Sequence, residues 1–310
     1  MEQQKINKLK EILSIKNRTR YFVWMLFFFS LSSIVIFALL LNRGEARQAS
    51  AANEADANSF AGTNLEAKSS FVWDVVNKSE MFSKNADLAL PLASLTKIMT
   101  VITANKILAP SDLITITKEH LTPEGDSELI VGDNWTAKDL TDFTLLTSSN
   151  DGAYALASAA GDHVGFIKSM NGMASLIGLA NSKFWNEHGL DRETDRGGAY
   201  GSARDMAILF EYTLKTFPDL MEATRYKNLN FVSAVANYNA SNTNLFIDQI
   251  PGLIASKTGF TDLAGGNLVI AFDAGLQRPI IISVLGSTQE GRFKDALQLV
   301  EATMKYINDN

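Results

Sequence analysis

Residues 252–286 read GLIASKTGFTDLAGGNLVIAFDAGLQRPIIISVLG, and the three apolar runs in this stretch decide the fold. The runs are GLIASKTGF, GGNLVIAF and RPIIISVLG. Each is short, apolar and bounded by Gly, Asp or Pro, which predicts three consecutive strands joined by short turns. Upstream, NFVSAVANY at 230–238 predicts one more strand, and FVWDVV at 71–76 another, turned back toward Met81-Phe82 by Asn77-Lys78-Ser79. Downstream, GRFKDALQLVEATMKYI places Phe293, Leu297, Val300, Met304 and Ile307 on one stripe at helical spacing. That predicts a helix packed on the sheet; its polar face is mixed in sign, unlike a helix lying on a membrane surface.

Between the two strand regions the period changes to that of helices. Ser94 opens SLTKIMTVITANKIL, with Leu95, Ile98, Met99, Ile102 and Leu108 apolar. A second helix is expected over 139–147, interrupted by Ser148-Ser149-Asn150 and resumed over 152–160, with further helices over 163–179 and 202–217. Ser202 and Asp205 make a weak capping-box match. With strands at both ends and helices in the middle, the chain reads as α+β: an antiparallel sheet flanked by helices with a helical subdomain.

Composition narrows the chemistry. The 310 residues are 46% hydrophobic and 20% charged, which excludes disorder of the whole chain and lets the core form without a disulfide or metal staple. There is no cysteine, hence no disulfide, no Cys-ligated metal and no thiol nucleophile. Three scattered histidines (His120, His163, His188) form no HExxH pair, so no metal site and no cofactor is expected. Residues 1–20 carry six basic and two acidic side chains, whereas residues 43–310 carry 22 basic against 32 acidic. An acidic body argues against nucleic acid as a partner.

Residues 21–41 read YFVWMLFFFSLSSIVIFALLL, with no charge. As a helix this run is about 32 Å long, against a bilayer core of about 30 Å. The expected organisation is a cytoplasmic basic tail over 1–20, a transmembrane anchor in the lipid bilayer over 21–42, a flexible linker over 43–70 and one folded domain over 71–310 outside the cytoplasm. The rival is a cleaved signal, with secretion of the body; the apolar run exceeds the usual signal core of about 7–15 residues. The nearest A-x-A site, Ala49-Ser50-Ala51, lies beyond Arg43, Glu45 and Arg47.

Three short motifs carry the chemistry. Ser94 and Lys97 sit at i and i+3 on one helix face. Serine becomes a nucleophile when a base removes its proton, and a lysine is that base when burial or nearby cationic charge lowers its pKa. Ser148 and Asn150 flank Ser149 between two helical segments, where a hydroxyl and an amide could relay a proton and hold a substrate amide. Lys257-Thr258-Gly259 falls on a predicted strand just before Phe260; a lysine there supplies positive charge, and a glycine lets another backbone approach. Each has an ordinary structural explanation by itself: a helix N-cap with a solvated lysine, a helix-breaking turn, and a strand end.

In this order, and in the text PLASLTKIMT, LLTSSNDGAYALA, FWNEHGLD, YGSARDMAIL and ASKTGFTDLAGGNLVIAF, the chain resembles the penicillin-recognising serine enzymes, and among them the D-alanyl-D-alanine carboxypeptidases, from about residue 71 to residue 307. The resemblance implies a β-lactamase/transpeptidase-like fold and a peptidoglycan stem peptide ending in D-Ala-D-Ala as substrate, with β-lactams as covalent inhibitors. It implies a cell-wall enzyme held at the bacterial membrane. Ser94 would attack the peptide carbonyl, Lys97 take its proton and Ser148 pass a proton to the leaving D-alanine. Asn150 would hold the substrate backbone, Lys257 and Thr258 face its carboxylate, and Gly259 complete the motif. The backbone N–H groups of Ser94 and Phe260 would form the oxyanion hole. Two lysines in one cleft favour a neutral Lys97 and a cationic Lys257. Ser149 departs from the Gly usual there.

Other activities remain open. A cross-link endopeptidase of the same family uses the same residues. A class A-like β-lactamase needs a Glu that activates a deacylating water, and Glu187 falls near the expected place. A serine glutaminase is disfavoured by the N-terminal apolar run, and a non-catalytic wall-binding protein by the intact Ser94, Lys97 and Lys257.

Overall fold

The computed structural model describes residues 59–125 and 128–309. The expected tail and membrane anchor lie outside the described residues. Among the described residues no helix is long and apolar enough to cross a membrane.

The folded unit opens with a hairpin, β1 (Ser69–Asp74) and β2 (Ser79–Lys84), followed by the two-residue strand β3 (Leu90–Pro91). A single 3₁₀ turn, Ala93–Leu95, leads into α1 (Thr96–Asn105). This helix stops short of the expected Leu108, because the Lys106 N–H turns back to Thr103 and Ala104 carbonyls. A small hairpin, β4 (Leu113–Thr115) with β5 (Asn134–Thr136), precedes the helical subdomain of α2 (Ala137–Thr147), α3 (Asn150–Ala160) and α4 (His163–Ile177). Strands β6 (Lys183–Phe184) and β7 (Ala199–Gly201) lead to α5 (Ala203–Thr216). Ser202 caps α5 by accepting from the Asp205 N–H at 3.1 Å. Asp205 does not return the bond; its carboxylate binds Asn181 N and Ser182 Oγ instead.

The stretch expected to be one strand at 230–238 is a hairpin, β8 (Asn228–Val232) and β9 (Asn237–Ser241). The Ser233 hydroxyl accepts from the Ala236 N–H at 3.1 Å and closes a turn in the middle of the apolar run. The chain ends with β10 (Leu253–Thr261), β11 (Gly265–Asp273), β12 (Pro279–Ser287) and α6 (Gly291–Asp309).

The main sheet is antiparallel throughout, in the order β10-β11-β12-β1-β2. Its two faces explain the unbroken apolar text of β12. Ile280, Ile282 and Val284 point with Val72, Leu268, Ile270 and Phe272 toward α6, where Phe293, Ala296, Leu299 and Val300 are buried. Ile281 and Leu285 point with Phe71, Val269 and Ala271 toward the other core, built by Ile98, Met99 and Ile102 of α1 and Met206, Leu209 and Phe210 of α5. Each such side chain contributes about 1.5–3 kcal/mol on burial.

The expected linker over 43–70 runs too far. Phe60 stacks on Phe82 at 5.3 Å, Leu65 and Ala67 are buried, and the Asp295 carboxylate accepts the N–H groups of Glu66 and Ala67 at 3.0 and 2.9 Å. These are backbone bonds to a distant carboxylate, which the polar composition of the segment does not reveal.

Candidate active site

The turn before α1 sets Ser94. Asn267 of β11 donates to the carbonyls of Pro91 and Leu92 at 2.9 and 3.1 Å, and the Leu92 N–H bonds to Ala199 O at 3.0 Å. Ala93 is then forced into the left-handed region, φ 47°. Such a conformation costs on the order of 1–3 kcal/mol and persists where its surroundings over-determine it. The three-residue offset brings Lys97 Nζ to 2.8 Å from Ser94 Oγ. Lys97 is fully buried, and its Nζ also lies 2.7 Å from Asn150 Oδ1 and 2.8 Å from His188 O. A neutral amine has two N–H groups for these two oxygens and one lone pair for the serine O–H, which is the arrangement a general base requires. Burial lowers the Lys97 pKa to about 7, against the upward pull of Glu187 and Asp151.

Ser148 ends α2 in the left-handed region, φ 64°, with its hydroxyl 2.8 Å from Lys257 Nζ. Ser149 is turned away and buried, accepting from the Gly152 N–H as the cap of α3 at 2.8 Å. Its identity therefore serves the helix. Asn150, the first residue of α3, is held at both ends: Oδ1 by Lys97, and Nδ2 by donation to Glu124 O at 2.6 Å. A groove of about 440 Å³ runs alongside, bordered by Ser148, Ser149, Asn150, Tyr238, Asn239 and Ser241.

Lys257 and Thr258 lie on β10, both buried. Lys257 Nζ also donates to Thr258 O at 2.9 Å, and Thr258 Oγ1 is 2.6 Å from Thr243 Oγ1. The expectation of a persistently cationic Lys257 meets an environment that opposes it. Burial pushes its pKa well below the usual lysine value, and the charges of Lys97 and Arg292 push it further. At Gly259 a side chain would meet backbone: an added Cβ would lie 2.8 Å from Leu92 O and 3.2 Å from the nitrogens of Ser94 and Leu95. This close approach sets the Phe260 end of β10 beside the serine turn, with the Phe260 ring exposed.

Sequence reasoning missed four groups. Arg292 of α6 donates to Gly259 O at 2.7 Å; Asn267 ties β11 to the serine turn; Thr243 pairs with Thr258; and the His188 carbonyl holds Lys97. Asn267 has a visible signal, a lone amide inside the apolar run GGNLVIAF. The 186–190 turn packs against Ala93 so closely that a Cβ at Gly189 would lie 2.0 Å from Ala93 O. Glu187, the residue a class A-like β-lactamase would use to activate water, faces two histidines. Its carboxylate is buried without a hydrogen bond, 3.4 Å from His163 Nε2 and 3.7 Å from His188 Nε2.

The family model of D-alanyl-D-alanine carboxypeptidases, peptidase family S11, matches residues 52–289. The chain belongs to this family. Among carboxypeptidase-family relatives, D-alanyl-D-alanine carboxypeptidase DacC of Escherichia coli (strain K12) is 31% identical over 255 residues, covering 76% of this chain and 61% of that protein. DacF of Bacillus subtilis (strain 168) is 30% identical over 244 residues with the same coverage, 76% and 61%. The chain thus spans about three fifths of the length of these curated relatives. Penicillin-binding protein D2 from Listeria monocytogenes, solved in its ampicillin-bound form, superposes with a TM-score of 0.66 at 27% identity, over 78% of this chain and 98% of that one. The family that the three motifs implied is the family found.

Proposed function

We propose that the chain is a serine-type D-Ala-D-Ala carboxypeptidase acting on peptidoglycan stem peptides through an acyl-enzyme on Ser94. The observation that carries this reading is the buried Lys97 amine 2.8 Å from Ser94 Oγ with its pKa lowered to about 7. In the first step neutral Lys97 takes the hydroxyl proton as Ser94 Oγ adds to the carbonyl between the two D-alanines. The oxyanion sits between the N–H groups of Ser94 and Phe260. The C–N bond then breaks as the proton held by Lys97 passes, by way of the Ser148 hydroxyl, to the leaving amine, which leaves Lys97 neutral again; Lys257, 2.8 Å from Ser148 Oγ, keeps its own proton. Water cleaves the ester, with Lys97 again as base. The substrate carboxylate pairs with Lys257 and Thr258, and its negative charge supplies what Lys257 needs to hold a proton in a buried site. The second Nδ2 hydrogen of Asn150 serves a substrate carbonyl.

β-Lactams fit the same site, because the lactam carbonyl and carboxylate mimic the terminal dipeptide. A penicillin should add its mass to the peptide containing Ser94, and Ser94→Ala should abolish the adduct; an adduct on another residue overturns the reading. Digestion of a pentapeptide and of a cross-linked dimer by the full chain, with mass spectrometry of the products, separates carboxypeptidase from endopeptidase activity. Rapid turnover of the penicillin in place of a trapped adduct would favour the lactamase.

We also propose that residues 21–42 anchor the protein in the bacterial membrane with residues 43–310 on the outer side. The uncharged run and its basic N-terminal flank support this.

A further inference from the structure

One buried charged group has no part in the steps above. Glu187 is 0% exposed, and neither carboxylate oxygen has a hydrogen-bond partner. Its nearest ionisable neighbours are His163 Nε2 at 3.4 Å and His188 Nε2 at 3.7 Å, and burial raises its pKa against the pull of its own backbone N–H, His163 and Lys97. The backbone on either side of that carboxylate is committed to α1, the helix of the base. The Glu187 carbonyl accepts from Thr100 Oγ1 at 2.6 Å, and the next carbonyl, of His188, accepts from Lys97 Nζ at 2.8 Å. One short turn therefore holds both the Lys97 amine and the backbone that carries the Glu187 side chain.

Other titratable groups surround the pair. His188 accepts from the Leu190 N–H on Nδ1 at 3.1 Å, so its own proton sits on Nε2, facing Glu187. That ring stays neutral: burial, then Lys97 and His163, push its pKa down to about 3. His163, at the start of α4, stacks on Tyr154 of α3 and presents Nε2 to Glu187 at 3.4 Å. Asp151 of α3 acts on Lys97 in the same sense as Glu187. Lys257 of β10 and Arg292 of α6 complete the charged surroundings on the cleft side.

We propose that Glu187 is a positioning residue for the general base: its buried carboxylate sets the pH at which Lys97 gives up its proton, and with it the acid limit of Ser94 acylation. The inference rests on the reading of Lys97 as the base for Ser94. Burial by itself favours the neutral form of Lys97. A nearby negative charge restores basicity, and a base is most effective when its pKa lies near the working pH.

Removing the charge has a signature that loss of packing does not share. Glu187→Gln keeps the shape and removes the charge. The acid limb of the acylation profile should move to lower pH by about one unit. Below the limb the variant is then about tenfold faster than wild type, and on the plateau about threefold slower, because the base is weaker. The two profiles cross. A purely structural defect lowers the rate at every pH and leaves the limb in place.

The test is the acylation rate of the full chain by a chromogenic β-lactam from pH 5 to 9, for wild type, Glu187→Gln and Glu187→Met. Methionine fills the site without polar atoms and keeps the experiment decisive if the amide variant folds poorly. Limbs displaced to lower pH in the folded variants are the expected result. Limbs unmoved, or displaced to higher pH, overturn the proposal. Lys97→Ala in the same assay separates the two levels. If it acylates as fast as wild type, the reading of Lys97 as base fails and this inference falls with it. If it is slow while the Glu187 variants keep the wild-type limb, only the inference fails.

Discussion

Gly259→Ala should slow acylation far more than it destabilises the fold. The added Cβ would stand 2.8 Å from Leu92 O and 3.2 Å from the nitrogens of Ser94 and Leu95. None of these atoms can swing aside. Leu92 O is held by Asn267, and the Gly259 carbonyl by Arg292 at 2.7 Å. Carbon and oxygen rest at about 3.3 Å or more, so the strand and the serine turn must part by about half an ångström. The donors proposed for the oxyanion, the N–H groups of Ser94 and Phe260, lie on the two sides of that contact and must each reach within about 2.7–3.1 Å of one oxygen. Parting them takes one donor out of range. Loss of one such donor lowers the rate by about 10²–10³, or about 2.7–4 kcal/mol, whereas overpacking costs about 1–3 kcal/mol of stability. The assay is the rate constant for acylation by a fluorescent penicillin, alongside thermal unfolding. Gly172→Ala is the control, because nothing lies within 4 Å of a Cβ at that helical position. A folded Gly259→Ala protein acylating within about threefold of wild type would refute the reasoning, since the close approach would then have no bearing on the oxyanion.

Three further outcomes are expected. Lys97→Ala should lose about 10²–10⁴-fold with any acyl donor, whereas Lys257→Ala should lose about 10–100-fold with carboxylate-bearing donors and far less with an ester donor lacking the carboxylate; equal losses on both donors would contradict the assignment of roles. Burial works against the charge of Asp74, but hydrogen bonds from the Asn77 backbone and from the Arg278 and Asn77 side chains overcome it and hold its carboxyl below 3.8. A carboxyl lowered on folding stabilises above its unfolded pKa and loses that contribution as pH falls through the folded value, so Asp74→Asn should flatten the decline of thermal stability below about pH 4; an unchanged slope would clear Asp74 of this role. Protein taken from bacterial membranes should retain residues 1–42, and a mature N-terminus near Ala52 would show instead that the segment is cleaved.

How much of this could be read from the chain differs element by element. Strands β10, β11 and β12 were legible because each is an apolar run bounded by turn residues, and α6 because its stripe keeps helical period. The β8–β9 hairpin was not: its turn is made by a Ser233 side chain bonding backbone inside an apolar stretch, which leaves the hydrophobic pattern of a single strand. Residues 60–70 read as tether because their anchorage is a carboxylate on α6. The pairing of β1 with β12, from opposite ends of the unit, has no local signature either.

The same division runs through the site. Local geometry by itself determined that Ser94 and Lys97 face each other, since i and i+3 share a helix face. Local chemistry placed a helix-breaking turn at Ser148-Ser149-Asn150 and a close backbone approach at Gly259, and the order of the motifs was enough for the family. Only the tertiary structure decided that Asn150 Oδ1 and His188 O hold the Lys97 amine, that Arg292 and Asn267 brace the two sides of the cleft, and that Glu187 is buried facing His163 and His188. It also decided the direction in which the proton affinity of the two lysines moves. A sequence shows that a lysine is present, but its proton affinity depends on how much water and which charges surround the amine, and both are set by segments brought together from far apart in the chain.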